Sequence, residues 1–316
     1  MEFVATLDPE LAPGVEQFPA EPAVIAENPA AAREIERQMA QAAFAAMPPT
    51  DVKIETQTIA GPDGDLKVVI YQPPNPAPRP AMLWMHGGGH IIGMAEDHAI
   101  CLPLAETVGC TIVSVEYPLS PEATYMAAIE ASFAALNWMV DQADELGIDA
   151  ARLAIGGGSA GGGLAAGLAL YNRDNNGPEI AFQLLIYPML DDTHDTPSGH
   201  FVTHPKVWNR DVSLKAWQMY LGDEYGTDHV SPYAAPSRAT DLTGLPPAYL
   251  TVGTADLFRD EDIDYAQRLM AAGVPTELEV FYGMFHAGEL TVPTAAVSQR
   301  MISNYTKALK RALAQK

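Results

Sequence analysis

Leu153-Ala154-Ile155-Gly156-Gly157-Gly158-Ser159-Ala160-Gly161-Gly162-Gly163 is the stretch on which the fold of this chain turns. An apolar strand-like run enters a glycine tract and leaves it into Leu164-Ala165-Ala166, which suits a helix. Within the tract, Gly157-Gly158-Ser159-Ala160-Gly161 fits G-x-S-x-G, a strained strand-to-helix corner that lifts a serine hydroxyl above a sheet. Small neighbours let strand and helix approach closely. The helix N-terminus turns unpaired N–H groups toward developing negative charge. Alone, the pentapeptide arises by chance in about one chain in ten of this size, so its position at the end of a strand and the start of a helix carries the argument. A glycine-rich packing turn and a phosphate-cradling loop are the competing readings. The second fails for want of a lysine in the G-x-x-x-x-G-K-[ST] position, and no acidic residue supports a dinucleotide fingerprint.

Working outward, Met82-Leu83-Trp84-Met85 runs into His86-Gly87-Gly88-Gly89. Consecutive glycines after a strand let backbone N–H groups turn inward without obstruction. Acyl transfer requires such preorganised donors for the carbonyl oxygen as it becomes negative. Gly88 and Gly89 are expected to supply two, and Ala160, next to the serine, a third. A flexible surface loop is the alternative, and it suits poorly a tract that caps an apolar strand.

Short β-branched runs alternate with helical stretches along the chain. Strands are expected at 52–59, 66–71, 81–85, 111–117, 152–155, 182–187, 248–252 and 277–282. Helices are expected near 97–108, 122–146, 160–172, 260–272 and 293–314. Near-continuously apolar strands separated by helices predict a parallel sheet covered on both faces. Gly61-Pro62-Asp63-Gly64 predicts an antiparallel hairpin between the first two strands. Asn28-Pro29 opens a further helix continuing over 31–46, a lid element or a packed N-terminal arm. The connection from Tyr187 to Leu250, with a helix expected over 206–221, exceeds ordinary loop length and reads as a lid or insertion.

At 316 residues with 48% hydrophobic content, the chain suits one large α/β domain with a small accessory part. The formal net charge of −22 disfavours nucleic acid and anionic membranes as partners, since both would repel it. A well-solvated surface or adaptation to high salt accounts for the acidity. No apolar run reaches the ~20 residues of a membrane-spanning helix, and acid replaces the basic start of a signal peptide, so a cytoplasmic protein is expected. Cys101 and Cys110 are too few for a disulfide framework and are expected as buried free thiols. No His/Asp/Glu cluster has metal-ligand spacing, so neither metal nor cofactor is expected.

Together with HGGG and GxSAGG, several further runs resemble the hormone-sensitive-lipase-like (bacterial family IV) carboxylesterases of the α/β-hydrolase superfamily. They are Tyr117-Pro118-Leu119-Ser120-Pro121-Glu122, Leu185-Ile186-Tyr187-Pro188, Leu245-Pro246-Pro247-Ala248, Asp256-Leu257-Phe258-Arg259-Asp260-Glu261 and Gly283-Met284-Phe285-His286. The likeness spans almost the whole chain. It implies the α/β-hydrolase fold: a mostly parallel eight-stranded sheet, helices on both faces and a helical cap. The cap would comprise 1–48 and 190–240, and the catalytic core 49–189 and 241–316.

The serine needs a base, and the base an orienting acid. Of eight histidines, His286 follows the last expected strand and satisfies the order Ser…Asp…His. His90, His98, His194, His200, His204 and His229 are expected at the surface, and His86 as a hydrogen-bonder of the glycine loop. The resemblance implies Asp256 as the acid; Asp260, Asp264, Asp191 and Asp192 are rivals, and a helix cap is its structural alternative. Three departures from the family pattern stand out. Gly158 precedes the serine where relatives carry Asp, Glu or Thr; His90 follows HGGG where an aromatic is usual, predicting a more polar pocket wall; Pro118 replaces an Arg, predicting loss of a guanidinium contact while Glu122 remains. Phe201, Val202, Trp208 and Tyr220 are candidates for an acyl pocket or for packing within the cap.

The activity implied is hydrolysis of short- to medium-chain acyl esters through Ser159, His286 and Asp256 and an acyl-enzyme. A small-molecule ester is then the only partner expected, and a homodimer stays open. Cleavage of lactone, amide or carbamate bonds by the same machinery is an alternative. A non-catalytic small-molecule receptor is another, disfavoured by the intact Ser159, Asp256 and His286.

Overall fold

The computed structural model describes residues 3–17 and 22–314. Of the expected cap and core segments, 1, 2, 18–21, 315 and 316 lie outside the described residues. All eight expected strands are present in one sheet: β1 (Lys53–Gly61), β2 (Gly64–Gln72), β3 (Arg79–Met85), β4 (Thr111–Val115), β5 (Ile148–Gly158), β6 (Phe182–Ile186), β7 (Ala248–Gly253) and β8 (Thr276–Phe281). The order is β1-β2-β4-β3-β5-β6-β7-β8. β2 pairs antiparallel with both β1 and β4, and the remaining neighbours are parallel. The expected hairpin closes with Gly61 opposite Gly64.

Every residue of β4, β6 and β7 is buried, which requires cover on both faces. The helices are α1 (Pro22–Glu27), α2 (Pro29–Ala45), α3 (His98–Leu104), α4 (Tyr125–Asp141), α5 (Ala143–Leu146), α6 (Ala160–Asp174), α7 (Pro197–Phe201), α8 (Arg210–Leu221), α9 (Arg259–Ala271), α10 (Gly288–Thr291) and α11 (Ala296–Ala314). α6 lies against β3, β5 and β6, and α11 against β5, β6 and β7.

Several ends differ from expectation, each for a local reason. β5 continues to Gly158 instead of stopping at Ile155, because neighbouring strands supply the pairing that glycine lacks as propensity. Gly157 pairs with Met85 and Leu185, and Gly158 with Ile186. The strand therefore delivers Ser159 directly. α8 begins at Arg210, not Lys206, because the Asn209 side chain accepts from Val212 N–H at 3.2 Å and so fixes its N-terminus. At the other end of the chain, Asn28 caps α2 by accepting from Ala31 N–H at 3.2 Å, with Pro29 in the first turn. No side chain of α2 is fully buried. α1 packs on α8, so the N-terminal segment meets the long connection after β6. Cys101 and Cys110 are buried and unpaired; burial pushes the Cys110 thiol up to about 12 and Cys101 well above its ordinary value, leaving both inert.

Candidate active site

The glycine tract at the end of β5 places Ser159 at φ 57° and ψ −123°, a strained conformation costing about 1–3 kcal/mol. Backbone bonds hold the corner. Ser159 N–H donates to the Ile186 carbonyl at 2.9 Å, and the Ser159 carbonyl accepts from Gly163 and Met189 at 3.0 Å. The helix that follows comes so close to β3 that a Cβ on Gly161 would lie 2.0 Å from the Met85 carbonyl oxygen.

His286 follows β8 and Asp256 follows β7, so adjacent strand ends bring them to the serine. His286 Nε2 lies 2.9 Å from Ser159 Oγ. Its Nδ1 lies 3.0 and 3.1 Å from the two Asp256 oxygens. Since an ionised carboxylate only accepts, Nδ1 carries the proton and Nε2 is left to accept from the serine hydroxyl. Phe258 and Tyr187 clamp the imidazole edge-on, at centroid distances of 4.9 and 4.7 Å. Asp256 also accepts from Phe258 N–H at 3.0 Å, but α9 begins at Arg259 with Phe258 in the N-cap position and no side-chain cap, so Asp256 is not its helix cap. Its rivals point elsewhere. Asp260 binds Ser198 N–H and Arg259, Asp192 pairs with Arg238, Asp264 faces Arg268, and Asp191 accepts from Thr193.

Gly88 and Gly89 take φ of 113° and 62°, which lets the loop after β3 turn toward the serine. Among the described residues, the N–H groups of Gly88, Gly89 and Ala160 donate to no protein acceptor. Ser159, His286 and these glycines border a cavity of about 350 Å³, with an apolar lining that includes Ile25, Phe44, Met94, Trp208 and Leu290. Its polar side holds Glu36, Asp97 and His98. Burial lifts Asp97 to about 6 against the hydrogen bond from Trp84 Nε1, which pulls the other way.

Of the four apolar cap candidates, Trp208 alone lines this cavity. Val202 and Tyr220 are buried in packing and Phe201 sits beside Phe3. His86 does hold the glycine loop: Nδ1–H donates to the Gly87 carbonyl at 2.8 Å and the ring stacks on Tyr117. Two other histidines correct the surface expectation. His90 is buried, stacks on Tyr220 at 3.7 Å and lies outside the cavity lining, so it forms no polar pocket wall. Burial pushes it down to about 3, and neutral imidazole suits an aromatic stack. His194 is fully buried, with Nδ1 facing Glu261 at 3.2 Å and Nε2 taking the Trp217 N–H at 3.2 Å.

Glu122, in the same run as Pro118, does meet a guanidinium. Arg33, on α2, donates to Glu122 at 2.9 Å, to the Ser120 carbonyl at 2.5 Å and to the Ile91 carbonyl at 2.7 Å. The 2.5 Å bond between Tyr187 and Glu289 behind His286 was missed in the sequence: Tyr187 stands in one of the family runs, but the short helix after His286 carries no motif to mark Glu289 as its partner. Among the described residues, no group of three or more His, Cys, Asp or Glu side chains is placed to hold a metal ion. No helix among them is long and apolar enough to cross a membrane.

Comparison with known proteins agrees with this architecture. The family model described as alpha/beta hydrolase fold matches residues 82–289. Carboxylesterase NlhH of Mycobacterium tuberculosis is 38% identical over 275 residues, covering 83% of this chain and 84% of that protein. Esterase LipI of the same organism is 35% identical over 263 residues, covering 80% and 82%. Among solved structures, a bacterial heroin esterase superposes with a TM-score of 0.93 at 42% identity, over 99% of each chain. The chain is thus a hydrolase of the alpha/beta hydrolase fold family, in its hormone-sensitive-lipase-like branch.

Proposed function

We propose that this protein is a carboxylesterase that hydrolyses short- to medium-chain acyl esters through an acyl-enzyme on Ser159. The observation that carries the reading is His286, bridging Ser159 Oγ at 2.9 Å and Asp256 at 3.0 Å. Ser159 Oγ attacks the ester carbonyl while His286 Nε2 takes its proton, and Asp256 stabilises the imidazolium. The N–H groups of Gly88, Gly89 and Ala160 receive the negative oxygen. Collapse expels the alcohol, which takes the proton from His286. Water, activated by the same base, then frees the acid and restores Ser159. In this reading the segments 1–48 and 190–240 form the cap over the serine. The esterase names of the relatives support the bond type, and the apolar cavity supports a small acyl group.

Turnover of p-nitrophenyl butyrate by wild type and by Ser159→Ala tests the proposal. The variant is expected to fold and to lose several orders of magnitude in kcat. A fluorophosphonate should label Ser159. Label on a different serine, or near-normal turnover without the Ser159 hydroxyl, overturns it.

A further inference from the structure

Glu289 is a buried acid to which the proposed reaction assigns no role. It sits on α10, three residues after His286, and is 1% exposed. Tyr187 O–H donates to its Oε1 at 2.5 Å, while Oε2 is buried with no partner. Among the described residues no Lys or Arg pairs with it. A buried carboxyl with an unsatisfied oxygen and no cation costs stability, and such groups concentrate where chemistry uses them.

Tyr187 connects this carboxyl to the site. It leaves β6 with φ 36°, borders the cavity beside Ser159, and sets its ring against His286 at 4.7 Å and 66°. A Cβ on Gly158 would meet the Tyr187 ring at 3.7 Å, so the residue before the nucleophile leaves this ring uncovered. We propose that Glu289, through Tyr187, is a positioning residue for His286, and that its ionisation favours the imidazolium formed when His286 takes the serine proton. The inference rests on the esterase reading given above.

The surroundings of Glu289 are consistent with such a role. Tyr187 faces it from the end of β6, His286 and Asp256 from the ends of β8 and β7, and Tyr305 from α11. The turn Ala12–Gln17, packed on α10, brings only the exposed Glu16 as a charged residue. Burial raises the Glu289 carboxyl to about 7, with the Tyr187 bond and His286 pulling it down and Asp256 pushing it up. Near neutrality the group is therefore divided between its two forms. The carboxylate stabilises a neighbouring imidazolium; the protonated acid does not.

The test compares wild type, Glu289→Gln and Tyr187→Phe by pH profiles with p-nitrophenyl butyrate. Gln keeps an acceptor for the Tyr187 hydroxyl and removes only the charge. It is expected to lower kcat at pH 8 roughly tenfold, with KM nearly unchanged. The wild-type rise through about 7 assigned to Glu289 should be absent from its profile. Tyr187→Phe removes a bond to the charged form, so that rise should move to higher pH. NMR titration of the His286 ring should show a second inflection in wild type and none in Glu289→Gln, whether or not the protein turns over ester. A folded Glu289→Gln with wild-type kcat, profile and ring titration overturns the proposal. If that variant fails to fold, an unshifted Tyr187→Phe profile and titration overturn it instead. The esterase reading fails separately, through an inactive wild type or an active Ser159→Ala.

Discussion

Arg33 donates to the Glu122 carboxylate at 2.9 Å across 89 residues of sequence, joining α2 to the loop that follows β4. The same guanidinium binds the carbonyls of Ser120 and Ile91. One turn further along α2, Glu36 accepts from Gly93 N–H at 2.8 Å. α2 therefore grips the stretch 91–93 that continues from Gly88 and Gly89. Because α2 buries no side chain fully, these polar bonds are a large share of what holds it. The ion pair itself contributes little, since the Glu122 side chain is 59% exposed. Charged bonds to backbone carbonyls are worth about 1.5–3 kcal/mol each.

Arg33→Ala should consequently release α2 locally without unfolding the core. Limited proteolysis within 29–45 is expected to quicken by roughly tenfold or more, with a small change in Tm. KM for esters should rise as the glycine loop loosens. Unchanged cleavage kinetics in the variant would show that apolar packing, not Arg33, retains the helix.

The glycines around Ser159 should respond in opposite ways to alanine. A Cβ on Gly161 would lie 2.0 and 2.4 Å from the Met85 and His86 carbonyl oxygens, and backbone cannot yield cheaply. Gly161→Ala should cost about 3 kcal/mol or more and abolish turnover by displacing the corner. On Gly158 the nearest atoms lie at 3.7 and 4.0 Å, both on Tyr187, an ordinary contact. Gly158→Ala should be neutral or stabilising by about 0.4–1 kcal/mol. Urea denaturation of both variants checks this, and equal destabilisation would refute the distinction.

The strands were legible because an apolar run between turn residues needs only local sequence to be recognised. Ser159 and the glycine loop were legible because their backbone demands specific small residues in a row. Arg33–Glu122 and Tyr187–Glu289 were not, since each joins residues far apart in sequence, and membership of a helix, a strand or a family run does not say which distant side chain a residue will meet. His194 misled for a related reason. It lies in a polar stretch, Asp191-Asp192-Thr193-His194-Asp195, yet is buried because Glu261, Ser213 and Trp217 satisfy its ring. Likewise, Phe201, Val202 and Tyr220 are apolar either for a ligand or for their neighbours, and hydrophobicity cannot separate those uses.

Stability should carry a pH signature from Glu289. Its carboxyl is raised by burial from an ordinary 4.5 to about 7, so between those values the native state holds a proton that the unfolded chain releases. This contribution is complete below about 4.5 and is lost as pH climbs through about 7. Glu289→Gln cannot ionise and escapes the loss. Its stability relative to wild type should therefore grow from pH 5 to pH 8, by on the order of 2–3 kcal/mol. Parallel Tm curves for the two proteins across that range would mean that Glu289 titrates alike folded and unfolded.

Acyl-chain preference follows from the cavity beside Ser159. At about 350 Å³ it stands at the small end of ligand pockets, and acyl and alcohol groups must share it. Each methylene that enters gains about 0.8 kcal/mol, or roughly fourfold in kcat/KM, provided that the walls still accept it. Trp208 limits growth on one side, where its ring packs against Gly89 so closely that a Cβ there would lie 2.3 Å from the indole. Activity should therefore climb from acetyl to about butyryl or hexanoyl and collapse beyond. The formal charge of −22 would also repel anionic interfaces, so no rate jump is expected when ester exceeds its solubility. Measuring kcat/KM over p-nitrophenyl esters from acetate to palmitate decides the matter, because a maximum at palmitate requires an acyl channel that this cavity does not provide.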